Sequence, residues 1–400
     1  MGRGSSCDSE WGIISKEAQN MRNSSNQTPL DPAAGIEKRA REYYEQGRYA
    51  EAEPLFQQAL QIRRLHFGEA HLLTARSLNN LAALYEKQGR YTEAERLYLQ
   101  ALAIVRQQMG ESDPMTALCL NNLGALYKAQ GRYTEAESIF KRVLAIWRQS
   151  FGETHPDVAV CLNNLAVLYE AQGMYLEAES MYKQALAIVR RALGETHPNT
   201  ATCLANLAGL YVSQYRYGEA ERLYQQALQI KRLQLGETHP LTIQTLSDLA
   251  ALYQAQGRYA EAESLYAQAL PVMRQQLGET HPEVARVLNN LAALYKEQAR
   301  YADAESLYLQ ALAIKRLQLG EMHPDTATTL YNLARLYQAQ SRYSEAEPLY
   351  QQALGVFEAA LGTEHLHTIA AAYYYFTCLQ SAGKHSEAQA LLARFPQISG

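Results

Sequence analysis

The sequence predicts an all-α solenoid of stacked antiparallel helix pairs, and three observations carry that reading. Glycines recur at 68, 110, 152, 194, 236, 278, 320 and 362, a constant step of 42 residues. Self-similarity at a fixed period of this length marks a solenoid. Within residues 159–200, Leu162, Leu165, Ala166 and Tyr169 form one apolar stripe at helical spacing. Ala178, Tyr182, Ala185, Leu186 and Val189 form a second, so each period holds two amphipathic helices. No Val/Thr-rich alternating segment separates the pairs, which excludes propellers and leucine-rich repeats.

Each element follows from its residues. Residues 1–32 are rich in Ser, Asn and Gly without periodicity, the composition of a disordered N-terminal tail. Pairs then start at 33, 75, 117, 159, 201, 243, 285, 327 and 369, nine in all, ending near 396 with a short tail at 397–400. The first carries Lys38 and Arg39 where later units have Asn and Leu, the polar outer face a capping unit needs. Inside each pair a segment such as Gln172-Gly173-Met174-Tyr175 breaks the helix, with Gly173 at the left-handed C-terminal position. After the second helix, Gly194 ends it, Thr196 is a candidate N-cap, and Pro198 enters the first turn of the next helix. Small residues face each other across the pair: Ala178 in one column, and Ala166, or Gly124 in one unit, in the other. Pro271 lies within a second helix and predicts a local kink there.

Composition adds bounds. The chain has 400 residues, 47% hydrophobic and 20% charged, enough to bury a large, elongated core. A formal net charge of −4 disfavours nucleic acid or anionic membrane as partner. No apolar run could span a bilayer, and the N-terminus shows no secretory h-region. Of five cysteines, Cys119, Cys161 and Cys203 are one period apart, hence on successive helices and too distant for a disulfide. Reduced thiols in a cytoplasmic protein are the expectation.

In the unit at 159, Leu162, Leu165, Ala166, Tyr169, Ala178, Tyr182 and Ala185 stand in the order and spacing of a known signature. By these residues the chain resembles the tetratricopeptide repeat family over about 33–396. Arg190 replaces the family's usual proline, and the helix runs on to Gly194. With its LNNLA, EAE and GETHP segments, this 42-residue form is similar to the repeats of kinesin light chains. The resemblance implies a right-handed superhelix whose first helices line a concave groove. It also implies cargo held there as peptide, sometimes through tryptophan flanked by acids. Ser9-Glu10-Trp11-Gly12 half-resembles such a peptide and is a candidate for self-recognition. Kinesin light chains carry heptads before the repeats to bind the motor heavy chain; residues 1–32 carry none, so motor association is not expected.

No sequence motif carries catalysis or metal binding. There is no P-loop, GxGxxG, GxSxG or HExxH, and no Cys/His set with zinc spacing. One histidine per repeat, at 155, 197, 239, 281 and 323, reads as loop capping before proline rather than as a metal ladder. Arginines in the last turns (Arg64, Arg106, Arg148) and glutamates in the first turns (Glu51, Glu93, Glu135) suit the helix dipole. An enzyme and a cofactor are therefore not expected.

Asparagine is the informative column. Asn80, Asn122, Asn164, Asn206, Asn290 and Asn332 precede the core leucine of each first helix, with Asp248 in one unit. Asn is a middling helix former, so its recurrence calls for a reason. An amide can pair with both N–H and C=O of an extended peptide, the use the family makes of groove asparagines. Equally, these amides can bond each other along the stack. Around them the groove should carry Asn79, Asn121, Asn163 and Asn289, with Lys87, Lys128, Lys296 and Arg335 to favour an acidic residue or free carboxylate. These bases are too sparse to track RNA phosphates. The expected function is a non-enzymatic scaffold or adaptor binding proteins or peptides, acidic or aromatic-containing ones among them. The alternatives are a peptide-responsive regulatory sensor or a true kinesin light chain cargo adaptor.

Overall fold

The computed structural model describes residues 31–398; Trp11 and its neighbours lie outside this range. Among the described residues there is no strand, and eighteen α-helices form nine pairs. The first three pairs are α1 (Ala34–Glu45) with α2 (Tyr49–Phe67), α3 (Leu72–Lys87) with α4 (Tyr91–Met109), and α5 (Pro114–Ala129) with α6 (Tyr133–Phe151). The middle pairs are α7 (Pro156–Ala171) with α8 (Tyr175–Leu193), α9 (Pro198–Ser213) with α10 (Tyr217–Leu235), and α11 (Pro240–Ala255) with α12 (Tyr259–Leu277). The last are α13 (Pro282–Glu297) with α14 (Tyr301–Leu319), α15 (Pro324–Ala339) with α16 (Tyr343–Leu361), and α17 (Leu366–Ser381) with α18 (His385–Arg394). Pro271 does not shorten α12, which has the same 19 residues as its counterparts.

Close approach within a pair rests on the small columns. Ala178 and Ala166 are fully buried. At Gly124 a Cβ would come within 2.9 Å of the Phe140 ring, so the helices of this pair lie close enough there to leave it no room. Between pairs, Tyr182, Tyr224, Tyr266 and Tyr308 are at most 2% exposed and fill the core.

The loops correct one expectation. The N-cap before α9 is His197, not Thr196: His197 Nδ1 accepts from the Asn199 N–H at 3.1 Å. His155, His239, His281, His323 and His365 do the same for their helices. An imidazole with a bare nitrogen replaces the usual hydroxyl or carboxylate acceptor. Thr200 instead donates to the Gly194 carbonyl at 2.7 Å and pins the loop.

Successive pairs are bolted together by residues whose roles were not apparent in the sequence. Arg132, in the turn of the third pair, stacks on Tyr127 at 3.7 Å and binds Glu95 of the preceding pair and Glu135 of its own helix. Tyr127 donates to the same Glu95 at 2.9 Å. The arrangement recurs at Arg90, Arg216, Arg258, Arg300 and Arg342. Between the second and eighth turns the fourth alone lacks it, because Met174 stands in the arginine's place. The arginines of the last turns pair too, Arg190 with Glu195 for instance.

First helices of successive pairs touch each other directly, which places them on the inner curve. The curve is tight enough that the coil meets itself. The loop at His281-Pro282 lies on the turn at Gly47, the loop at His323-Pro324 on Gly89, and His365 on Gly131. Each seat joins residues 234 positions apart, a little over five and a half repeats. A Cβ on these three glycines would meet the opposing histidine ring at 2.8, 2.8 and 2.7 Å. Helix α14 also contacts α2 across this seam.

Candidate functional site

The inner wall is built by one face of each first helix. Its asparagines pair in rungs: Asn122 donates to Asn79, Asn164 to Asn121, and Asn206 to Asn163, at 2.9, 2.9 and 2.7 Å. Each rung runs from one helix to the one before it, so an amide needs an amide 43 residues back. The ladder begins at Asn80, which donates to Glu37 at 2.9 Å. It is interrupted in the middle. Asp248 has no amide N–H to donate and faces Ala205, which has no polar side chain, and it accepts from the Gln244 amide instead at 2.9 Å. Asn290 faces Ser247, whose hydroxyl is committed to the Ile243 carbonyl at 3.1 Å. One more rung, Asn332 to Asn289 at 3.2 Å, precedes the C-terminal end.

The structure therefore brings together Asn79, Asn121, Asn122, Asn163, Asn164 and Asn206 with one another. A rung uses one N–H of its donor and one lone pair of its acceptor, so part of each amide is left over. Asn163 is fully buried, however, and its Nδ2 has no partner.

The four cations separate. Lys87 closes α3 beside the seam, near Glu283 and Asp325, whose carboxyls are held down chiefly by Arg286 and Lys315 with Lys87 adding to both. Lys128 is 7% exposed and offers little to a ligand. Lys296 and Arg335 lie together on the inner wall of the seventh and eighth pairs. Burial, and then the neighbouring Arg335 charge, lowers the Lys296 pKa. Arg335 lies over Tyr374 at 4.4 Å and Tyr331 at 5.6 Å, and the two rings meet edge to face at 5.8 Å. Tyr373, 43% exposed, packs beside Tyr374 at 5.4 Å. Among the described residues neither Lys296 nor Arg335 has a carboxylate in salt-bridge range; Glu297 is instead bound by Gln254 at 3.1 Å.

Sequence reasoning missed Tyr331, Tyr373 and Tyr374 as site residues. The signal was present: Tyr331 occupies the column of Asn79, Asn121, Asn163 and Asn289, and Tyr374 the column of Asn332. Among the described residues no group of three or more His, Cys, Asp and Glu side chains could hold a metal. No described helix is long and apolar enough to cross a membrane.

With helix pairs, small-residue columns and an inner wall of first helices in place, the class is defined: this chain belongs to the tetratricopeptide repeat family. The family profile matches residues 33–107, 115–191, 168–233, 206–275, 241–317 and 318–394. Such repeats generally serve as non-catalytic surfaces for protein–protein interaction. No curated protein matches the chain. Among solved structures, the crystal structure of BtubC (BKLC) from P. vanneervenii is 26% identical, covering 59% of this chain and 92% of that one at a TM-score of 0.45. A putative kinesin light chain from Podosopora anserina with nearly identical TPR-like repeats is 29% identical, covering 51% and 97% at a TM-score of 0.42. A second crystal structure of that protein, carrying a single substitution, is also 29% identical and covers 50% and 94% at a TM-score of 0.42.

Proposed function

We propose that this protein is a non-enzymatic scaffold that holds an extended acidic peptide along its inner wall, anchored at Lys296 and Arg335. The observation that carries the reading is charge without a counter-charge. Nearly every turn and last-turn arginine is matched to a carboxylate, whereas these two cations stand side by side on the inner wall with none in salt-bridge range, Glu297 acting on Lys296 only from farther away. An arriving carboxylate relieves that repulsion and gains charge-assisted hydrogen bonds. Tyr373 and Tyr374 offer a face for an adjacent aromatic side chain. Asn332 offers its remaining N–H to the peptide main chain, and Asn290 the part of its amide not turned to the Tyr266 hydroxyl. Cys119, Cys161, Cys203 and Cys378, buried and outside any disulfide, support a reducing, cytoplasmic setting.

Fluorescence anisotropy with acidic peptides and their amide counterparts tests this. Acidic peptides should bind at least about tenfold tighter at low salt, with the gap closing as salt rises. Lys296→Ala with Arg335→Ala should abolish the preference. Equal binding of both peptide sets, or a preference untouched by the double substitution, contradicts the proposal. The alternative of a peptide-responsive sensor draws support from the seam, since a coil that opens changes its pitch.

A further inference from the structure

We propose that the three seats of the seam form a reversible latch, closed when His281, His323 and His365 are neutral and released by mild acid. The latch does not depend on peptide binding, and it decides whether the inner wall is an enclosed lumen or an open groove.

Each ring works in two directions. Its Nδ1 accepts a backbone N–H of its own helix, at 3.1 Å for His281, 2.9 Å for His323 and 3.2 Å for His365. That nitrogen must be bare, so the capping imidazole is the neutral one. The ring edge lies on a glycine of the opposing coil, and His281 and His323 also hydrogen-bond the main chain of Glu45 and Lys87. Adding a proton at Nδ1 sets an N–H against an N–H and breaks the cap. It also charges a ring pressed between two coils.

The surrounding charges set the direction. His281 faces Glu283, with Arg286 next to that carboxylate. His323 faces Asp325 on its own helix, Lys315 on α14 and Lys87 on α3. His365 faces His367. Tyr44 and Tyr49 complete the opposing side. Burial outweighs the two carboxylates, and all three histidines titrate below the ordinary imidazole range, His365 at about 4. A group whose pKa is lowered in the closed state stabilises closure above its free value of ~6.5, and loses that contribution as pH falls toward the closed value. Glu283 and Asp325 are held low despite burial, the first mainly by Arg286 and the second mainly by Lys315, so they stay ionised in this window.

The turns record which seats are used. Gly173, Gly257 and Gly383 have nothing within 4 Å of a would-be Cβ, and Tyr215, Ala299 and Ser341 carry side chains at the same left-handed position. At the fourth turn nothing packs on Gly173, and Met174, Tyr175 and Leu176 beside it are exposed.

Small-angle scattering of the full chain at pH 7.5 and pH 5, with helicity followed by circular dichroism, tests the latch. The radius of gyration should grow on acidification while helicity holds, because at pH 5 a histidine that is still neutral in the closed state and has a free value of ~6.5 shifts opening by up to about thirtyfold. The triple variant His281→Asn, His323→Asn, His365→Asn keeps an N-cap acceptor that cannot titrate, and should lose the response. His155→Asn, His197→Asn, His239→Asn caps loops that touch no other coil, and should keep it. At pH 7.5, Gly89→Val should expand the coil, while Gly173→Val, with the same left-handed backbone, should not. An unchanged wild-type radius at pH 5 overturns the latch by itself, whether or not any variant folds. So does equal acid expansion in the two triple variants, or equal expansion in the two glycine variants.

Discussion

The two ends of the inner wall use the same helical positions for opposite purposes. From the second to the fifth pair, amide meets amide, and Asn122, Asn164 and Asn206 stitch each first helix to the one before. From the eighth pair onward, past the last rung of Asn332 on Asn289, those columns carry Tyr331, Tyr373 and Tyr374, and Lys296 and Arg335 lie on the same wall. A polar group on a concave wall is thus not by itself a binding group. What separates the regions is pairing: on the N-terminal wall the amides bind one another, the buried Asn163 Nδ2 excepted, and the C-terminal wall leaves two cations without a carboxylate in salt-bridge range.

The same contrast appears in the buried column behind the wall. At the N-terminal end Arg63 is fully buried and binds Asp31 at 2.6 Å, Ser77 at 2.6 Å and Glu37, itself 1% exposed. One repeat down the chain the equivalent residue is Val105; buried lysines stand there again at Lys231 and Lys315, and near the C-terminal end the position is Phe357, 2% exposed. Removing one partner of a buried ion pair strands the other. Arg63→Ala should therefore cost ~3–5 kcal/mol locally and release the first rung, because Glu37 also holds Asn80. Hydrogen exchange should accelerate in α1 to α3 and leave α15 to α18 protected. Uniform acceleration along the chain would mean that the stack melts as one unit and the ends are not distinct.

Smaller effects come from the ladder. Asn122→Ala with Asn164→Ala removes two rungs at ~0.5–1.5 kcal/mol each, so the melting temperature should fall. Asn290→Ala, where no rung forms, should leave it in place. The smallest effect is a gain. Met174→Arg supplies the missing bolt of the fourth turn, with Glu137 and Glu177 within reach and Tyr169 as its stacking face, by analogy with Arg132. A partly exposed pair of this kind contributes ~0.2–1 kcal/mol, measurable as slower exchange in α7 and α8. No change there would show that the bolts are incidental to stacking.

Much of the fold was legible because its cause is local and repeated. The 42-residue glycine step and the Ala166/Ala178 facing columns each state a packing requirement within one unit. The histidine column reads as loop capping in the sequence, but the N-cap itself was assigned to Thr196, because only coordinates show which of two adjacent side chains supplies the acceptor. The bolts escaped because Arg132 and Glu95 lie 37 residues apart and are read together only once the stack is drawn. The seam could not be read at all. Its partners are 234 residues apart, and pitch is a sum of small rotations that no single unit encodes. For the site, the asparagine column was visible but its two possible uses were not separable in sequence. The decisive fact, an acceptor present or absent 43 residues back, is one of register between helices.

The most direct test crosses the two ends of the wall in one experiment. Melting temperature and acidic-peptide affinity are measured on the same samples of Asn122→Ala/Asn164→Ala and of Lys296→Ala/Arg335→Ala. The account expects the asparagine variant to melt earlier and bind within about twofold of wild type. It expects the cation variant to melt unchanged and to bind at least about tenfold more weakly, since charge-assisted contacts contribute ~1.5–3 kcal/mol each. Lost affinity with an unchanged melting temperature in the asparagine variant, together with intact affinity in the cation variant, would place the peptide on the amide ladder and contradict the division drawn here.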